Sequence, residues 1–377
     1  MTTFTSRLGS VPQEVLEHIA FCAATRDLVG PPSGLHPLLL TCQNVYRTLS
    51  LEANPYLYAR MFSSKFDTRS VFRRLGPHVN PPRVLAIELK KRWMYLKRIK
   101  ARTDSRIRHP EVAAADQSDL LWFAYLMMLE NDGKNEQQLL DYAEMDVWLM
   151  EYWFDGDGAS LAAHMIFQRV WPVEDKNNSI AMWLFWFLLR SGTSYLQGLC
   201  ARTTRFTDFV MRNITRLRHM MTVMKVTALA ANHVCVRIEC SGSFAYSSEY
   251  PVCDPSWTEF LPRSETLKLP SLVTHFSETY QLNPPVLAPP AILAFLTLTL
   301  QILRPAQPND ATEYTFQAPA SLPLTKRRSE DWDSDWYRCV HLGQSDRCRA
   351  VSETYALGSL DGVWEGLFAV STRHLLS

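Results

Sequence analysis

A histidine and three cysteines carry the side-chain chemistry of a zinc site: His233, Cys235, Cys240 and Cys253. Structural zinc sites pair their ligands at short spacing and repeat the pair. The stretch HVCVRIEC alternates apolar and polar residues, which predicts a strand. Cys235 and Cys240 would then point to opposite faces, because their separation along the strand is odd. The pattern argues against zinc, and we expect the eight cysteines to be free thiols.

Two groups of carboxylates could hold a cation or perform acid–base chemistry. The aspartates of DWDSDW (331–336) are spaced like the start of a calcium loop. Trp336 stands where that loop needs glycine, and Leu342 stands where it needs glutamate. We therefore interpret the charged segment 325–335 as an exposed acidic loop. The second group has no pattern that makes its members converge: Asp146, Glu151, Asp155 and Asp157.

The sequence contains none of the catalytic motifs H-E-x-x-H, G-x-S-x-G and G-x-x-x-x-G-K-[ST]. We therefore expect no enzymatic activity, no catalytic residue, no cofactor and no metal. An enzyme within residues 100–300 is the alternative, and converging carboxylates in a pocket would favour it.

Composition limits the class of protein. A chain of 377 residues with 47% apolar residues has enough material for a large core and two or three domains. A net charge of +1 gives the whole chain no attraction for nucleic acid or membranes. The N-terminus has no apolar signal core, and the longest apolar runs are shorter than the roughly 20 residues of a spanning helix. We expect a soluble protein of the cytoplasm, the nucleus or both.

Three short helices are predicted at the start of the chain. Ser10 and Gln13 have the spacing of a capping box, so the first helix is expected from Val11. A second helix is expected over 38–50, and Asn54 with Pro55 predicts the start of a third. These helices carry more apolar positions than so small a core can hide, which indicates a partner surface. The alternative is that they begin one larger helical core.

The same residues resemble an F-box. The resemblance lies in VPQEVLEHI (11–19), LLLTCQNVYRTL (38–49) and NPYLYARMF (54–62). VP stands here for the usual LP, and a long proline-rich loop follows the first helix. Three further segments are similar to parts of the large F-box proteins of mushroom-forming fungi: AMWLFWFLLR (181–190), SEDWDSDWYRCVHLG (329–343) and YALGSLDGVWEGLF (355–368).

The resemblance implies a substrate receptor of an SCF-type cullin–RING ubiquitin ligase. The F-box would bind a Skp-type adaptor, and the rest of the chain would hold an unknown target protein. An adaptor-bound scaffold whose partner is not ubiquitylated is the alternative. The adaptor-binding residues implied are Leu8, Val11, Pro12, Val15, Leu16, Ile19, Leu38, Leu39, Cys42, Val45, Tyr46 and Leu49.

The remainder is predicted to be mainly helical. Residues 81–102 form an amphipathic helix whose apolar stripe is Leu85, Leu89, Trp93, Leu96 and Ile99. Its many cations, Arg92 among them, are expected to be solvated, and contact with phosphates, with an acidic partner or with a membrane surface is the less favoured alternative. Further helices are expected over 117–130, 136–153, 179–191 and 207–225, and a strand over 233–240.

We therefore predict a mainly α protein with a smaller β-containing C-terminal part, an α+β fold. Three regions are expected: an F-box three-helix domain at 8–64, a helical domain at 65–230, and a mixed strand and loop region at 231–377. The third region is expected to be incomplete at its C-terminal end. We expect no contact with a membrane, and nucleic acid is not the expected partner.

Overall fold

The computed structural model describes residues 11–107, 110–168, 172, 175–194, 219–227, 270–287, 289–295 and 329–341. The following predictions lie outside these residues: the role of Leu8, the cap at Ser10, the part 207–218 of the helix expected over 207–225, the strand over 233–240, the zinc candidates from His233 to Cys253, and the segment 355–368.

The first helices are shorter than the sequence predicts. Helix α1 (Gln13–Thr25) begins two residues later than expected, because Pro12 takes the N-cap position without a side-chain hydrogen bond. The single helix expected over 38–50 is wrong, since two helices, α2 (Leu35–Leu39) and α3 (Gln43–Leu49), replace it. Thr41 Oγ1 donates to the carbonyl oxygen of Leu38, and Cys42 is extended, so the chain turns between them.

The predicted cap of the next helix is confirmed. Helix α4 (Pro55–Lys65) has Pro55 in its first turn, and the side-chain oxygen of Asn54 accepts from the amide nitrogen of Leu57 at 3.1 Å. Proline loses nothing at this position, because the amide it lacks would have no partner in the helix.

The long amphipathic helix is also confirmed. Helix α6 (Pro82–Ala101) buries all five residues of its predicted apolar stripe. A short helix, α5 (Arg69–Leu75), and a 3₁₀ turn at Pro77–Val79 precede it, and α7 (Pro110–Leu129) follows. Helix α6 packs against α4 on its inward side and also contacts α7.

The prediction of one continuous helix over 136–153 is wrong, because the helix is interrupted. The chain instead forms α8 (Lys134–Gln137), a π-helical turn (Gln138–Tyr142) and α9 (Met145–Phe154). Glu144 has a φ of 55°, a left-handed conformation that no continuous helix contains. Two further helices are α10 (Ala162–Phe167) and α11 (Lys176–Ser194).

A β-hairpin lies among the helices. Strands β1 (Ser271–His275) and β2 (Glu278–Leu282) pair antiparallel, with His275 opposite Glu278. The two turn residues, Phe276 and Ser277, have φ values of 48° and 65°. Such turns usually contain Asn or Gly, so the sequence carries no turn signal here. The last helix described is 333–341, preceded by a 3₁₀ turn at Ser329–Trp332.

The described structure is mostly helical with one small sheet, which confirms the mainly α prediction in outline. Buried side chains from Leu16 to Cys339 form a single hydrophobic cluster. Residues on both sides of the expected boundary at 64–65 belong to this cluster, among them Phe62 and Phe66, whose rings stack at 5.4 Å. The first four helices therefore share a core with those that follow.

Candidate functional site

The predicted adaptor-binding residues divide into three groups by exposure. Four are exposed: Pro12, Val15, Ile19 and Tyr46. Four are half-buried: Val11, Leu38, Leu39 and Cys42. Three are buried, Leu16, Val45 and Leu49, and their side chains contact the core rather than a partner.

Helix α1 is apolar on two faces. Leu16, Ala20 and Ala24 lie one turn apart and face the core. Val15 and Ile19 lie beside them but are 48% and 41% exposed. The fully buried residues of this helix are thus one leucine and two alanines. Val15 and Ile19 therefore do not contribute to the core packing of this helix.

Exposed apolar side chains continue onto the next helices. Leu40, which the prediction did not include, is 71% exposed at the end of α2, and Tyr46 on α3 is 52% exposed. Helices α1, α2 and α3 contact one another. We name the four exposed residues Val15, Ile19, Leu40 and Tyr46 the apolar surface.

The loop between α1 and α2 is held by two buried polar side chains. Lys65 Nζ donates to the carbonyl oxygens of Asp27 and Gly30, the latter at 3.1 Å. The amide of Gln138 donates to the carbonyl of Leu28 at 2.8 Å and accepts from the amide nitrogen of Gly30 at 2.9 Å. Burial lowers the pKa of Lys65, and the nearby Asp27 opposes that effect.

Close packing also fixes the start of α2. A Cβ atom on Gly34 would lie 2.3 Å from the carbonyl oxygen of Ala23 in α1, so only glycine fits there. On the other side of the unit, Asn54 donates to Glu17 of α1 at 2.7 Å, and the Tyr58 hydroxyl donates to the carbonyl of Leu49 at 3.0 Å. The helices below the apolar surface are thus fixed by specific contacts.

A second group of functional side chains lies inside the core. Arg92 Nη2 donates to Glu130 Oε2 at 2.7 Å and Nε donates to Glu88 Oε1 at 3.4 Å. His275, at the hairpin tip, places Nε2 2.6 Å from Glu130 and Nδ1 3.8 Å from Glu88. We name these four residues the buried charge cluster. The expectation that Arg92 is solvated is wrong, since its side chain is 0% exposed.

The charges in this cluster balance one another. Burial alone would raise the pKa of Glu130, but the charges and hydrogen bonds of His275 and Arg92 outweigh it and lower the pKa to about 2. The guanidinium also lies 4.9 Å from the Phe62 ring centroid and 5.5 Å from that of Phe276. A histidine and two carboxylates could perform acid–base chemistry, yet every member is at most 3% exposed, so no substrate reaches them.

Three of the four carboxylates between Asp146 and Asp157 lie close together in the structure, and they surround an arginine. Glu151, Asp155 and Asp157 each have an oxygen within 4.0 Å of the Arg106 guanidinium. Glu151 also accepts from Ser105 Oγ at 2.7 Å. Burial raises the pKa of the fourth member, Asp146. Three of these carboxylates are thus paired with one arginine rather than with one another.

The acidic segment 325–335 is only partly exposed where the structure describes it. Ser329 is buried, and Asp333 accepts from Arg73 Nη2 and from Arg74 Nε, both at 2.8 Å. The hydrogen bonds of both arginines lower the pKa of Asp333 although burial opposes them. The expectation of an exposed acidic loop is therefore wrong for 329–335, which form a 3₁₀ turn and the start of a helix.

Among the described residues, no three His, Cys, Asp or Glu side chains are placed to hold one metal ion. Within the same part of the chain, no helix combines the length and apolar content needed to cross a membrane. Comparisons with protein-family models, with curated proteins and with solved structures found no match.

Proposed function

We propose that the chain is a substrate receptor of an SCF-type ubiquitin ligase, with α1, α2 and α3 bound to a Skp-type adaptor. The observation that carries the proposal is the outward apolar pair of α1, Val15 and Ile19, on a helix whose core contacts are already made by Leu16, Ala20 and Ala24. The resemblance of 11–62 to an F-box supports the same reading of these helices.

The exposure of each residue divides the roles within the surface. Val15, Ile19, Leu40 and Tyr46 would make the direct contacts, and half-buried Leu39 would lie at their edge. Leu16, Val45 and Leu49 would keep the helices in position from below. A few apolar anchors dominate the energy of most protein interfaces, so removing one or two of them should suffice to break the complex.

The rest of the chain would hold a target protein. In this role the protein supplies no nucleophile, acid or base to ubiquitin transfer. It raises the effective concentration of the target near the charged ubiquitin carrier, which is a positional form of catalysis.

The test is co-expression of the full chain with a Skp-type adaptor, followed by gel filtration. We expect a one-to-one complex for the natural sequence and none for Ile19→Asp with Leu39→Asp. The matched control is Leu272→Asp with Val286→Asp, because both residues are exposed and lie outside α1, α2 and α3. If the Ile19 and Leu39 variant is folded and still elutes with the adaptor, the proposal is wrong.

A further inference from the structure

Helix α6 uses most of its cations inside the molecule. Lys91 Nζ donates to the carbonyl oxygen of Thr274, and Arg98 makes two hydrogen bonds to Asp104, at 2.6 and 2.8 Å. Lys100 lies 4.6 Å from the Tyr142 ring centroid. With the buried Arg92, these residues are four of the seven cations of α6, and each of the four has a partner within the protein.

The other three cations share one outward face. Arg83, Lys90 and Lys97 are exposed and lie seven residues apart, and they form no ion pair with any residue that the structure describes. Ile87 and Met94 lie between them and are 53% and 57% exposed. We name these five residues the outer stripe.

The spacing of the outer stripe is that of a helix–helix seam. Its members follow one another at alternating intervals of four and three residues, from Arg83 to Lys97. The stripe is about 21 Å long at 1.5 Å per residue. Ile87 and Met94 lie on this face at a spacing of seven residues, so one partner helix would cover both of them.

We propose that the outer stripe binds an acidic amphipathic helix of a partner protein. Carboxylates of that helix would pair with Arg83, Lys90 and Lys97, and its apolar residues would cover Ile87 and Met94. A second copy of this chain does not fit, because it would bring cations against cations. The inference rests on the proposed function only in making this partner the target; the binding chemistry of the stripe stands without it.

The probe is a synthetic three-heptad peptide with leucine and glutamate alternating at the same spacing, compared with a scrambled peptide of equal composition. We expect the patterned peptide to bind the full chain, measured by fluorescence anisotropy, and the scrambled one to bind much more weakly. Lys90→Glu with Lys97→Glu should reduce binding by at least about tenfold, because two attractive pairs become repulsive. A peptide with lysine in place of glutamate should then prefer this variant.

The control is Arg26→Glu with Lys225→Glu, which changes net charge equally at exposed sites outside α6 and should leave binding unchanged. Equal binding of both glutamate peptides, or equal loss in the control variant, would show nonspecific attraction and overturn the inference. Tighter binding to phosphatidylserine vesicles or to single-stranded RNA, lost in the Lys90 and Lys97 variant, would also overturn it. The Ile19 and Leu39 variant should keep peptide binding, so this result and the adaptor result can fail separately.

Discussion

The ammonium group of Lys65, at the end of α4, donates to the carbonyl oxygen of Gly30 in the loop that joins α1 and α2, across 3.1 Å. The residue is 1% exposed, so the bond is made without competition from water. One side chain at the predicted boundary between the first two regions thus fixes the loop beside the apolar surface. The position of that surface depends on residues outside the F-box-like segment.

Replacing Lys65 by methionine should destabilise the protein. The variant keeps the apolar stem but removes the donor to both carbonyls, and the Gly30 carbonyl is then buried without a partner from Lys65, at a cost of about 1–3 kcal/mol. Urea unfolding measures the change. Lys134→Met is the control, because Lys134 also donates to a carbonyl but is exposed, and its effect should stay within about 0.5 kcal/mol.

Gly34→Ala should be destabilising although alanine is small. Its Cβ would overlap the backbone oxygen of Ala23, and the helices could separate only by disturbing α1 against α2, at a cost of about 1–3 kcal/mol. Adaptor binding should weaken together with stability. Gly156→Ala is the matched control, since nothing lies within 4 Å of a Cβ there. Equal unfolding midpoints for the two variants would contradict the close approach.

The stability of the folded chain should depend on Glu130 in a specific pH range. The folded pKa of about 2 lies below the ordinary value of 4.5, so the stabilisation is complete above about pH 4.5 and is lost as the pH falls toward 2. Glu130→Gln leaves Arg92 and His275 buried without this charge, which typically costs about 3–5 kcal/mol.

The difference between Glu130→Gln and the natural sequence should therefore shrink as the pH falls from about 4.5 toward 2. Chemical unfolding at several pH values measures it. Glu330→Gln is the control, because Glu330 is an exposed partner of Arg69 and such pairs contribute little. A difference independent of pH would exclude Glu130 as the titrating group.

Ser277→Gly should stabilise the hairpin. Ser277 is exposed with a φ of 65°, a conformation that glycine adopts without strain, and the gain should be about 0.5–1 kcal/mol. Thermal unfolding would show a higher midpoint. The same change at Ser63, an exposed helical serine in α4, should lower stability instead. If both variants shift the unfolding midpoint in the same direction, the strain at Ser277 is not what changes the stability.

Features encoded over a few residues could be predicted from the sequence. The cap at Asn54 and the inward stripe of α6 depend only on neighbours within one or two turns. The split between α2 and α3 was missed because the apolar spacing of a helix continues across the turn at Thr41. The hairpin turn was missed because Phe276 and Ser277 are unusual there.

The burial of Arg92 could have been predicted from the periodicity of α6. Positions 85, 89, 92, 96 and 99 follow one inward face at alternating intervals of four and three, and Arg92 is the charged member. Its partners could not be inferred, because Glu130 lies 38 residues away and His275 lies in a segment without a strand or turn pattern. Similarly, α1 is apolar on two faces, and the sequence does not say which of them meets the core.

The hairpin that completes the buried charge cluster is made late during synthesis. Glu130 and His275 are 145 residues apart in the chain. At roughly 5–20 residues per second, a ribosome needs roughly 7–30 s to make that stretch. Throughout this interval Arg92 and Glu88 of α6, and Glu130 just after α7, lack the histidine and the phenylalanine that later cover them. A chaperone that binds partly folded helices would meet this protein before the hairpin covers the buried charge cluster.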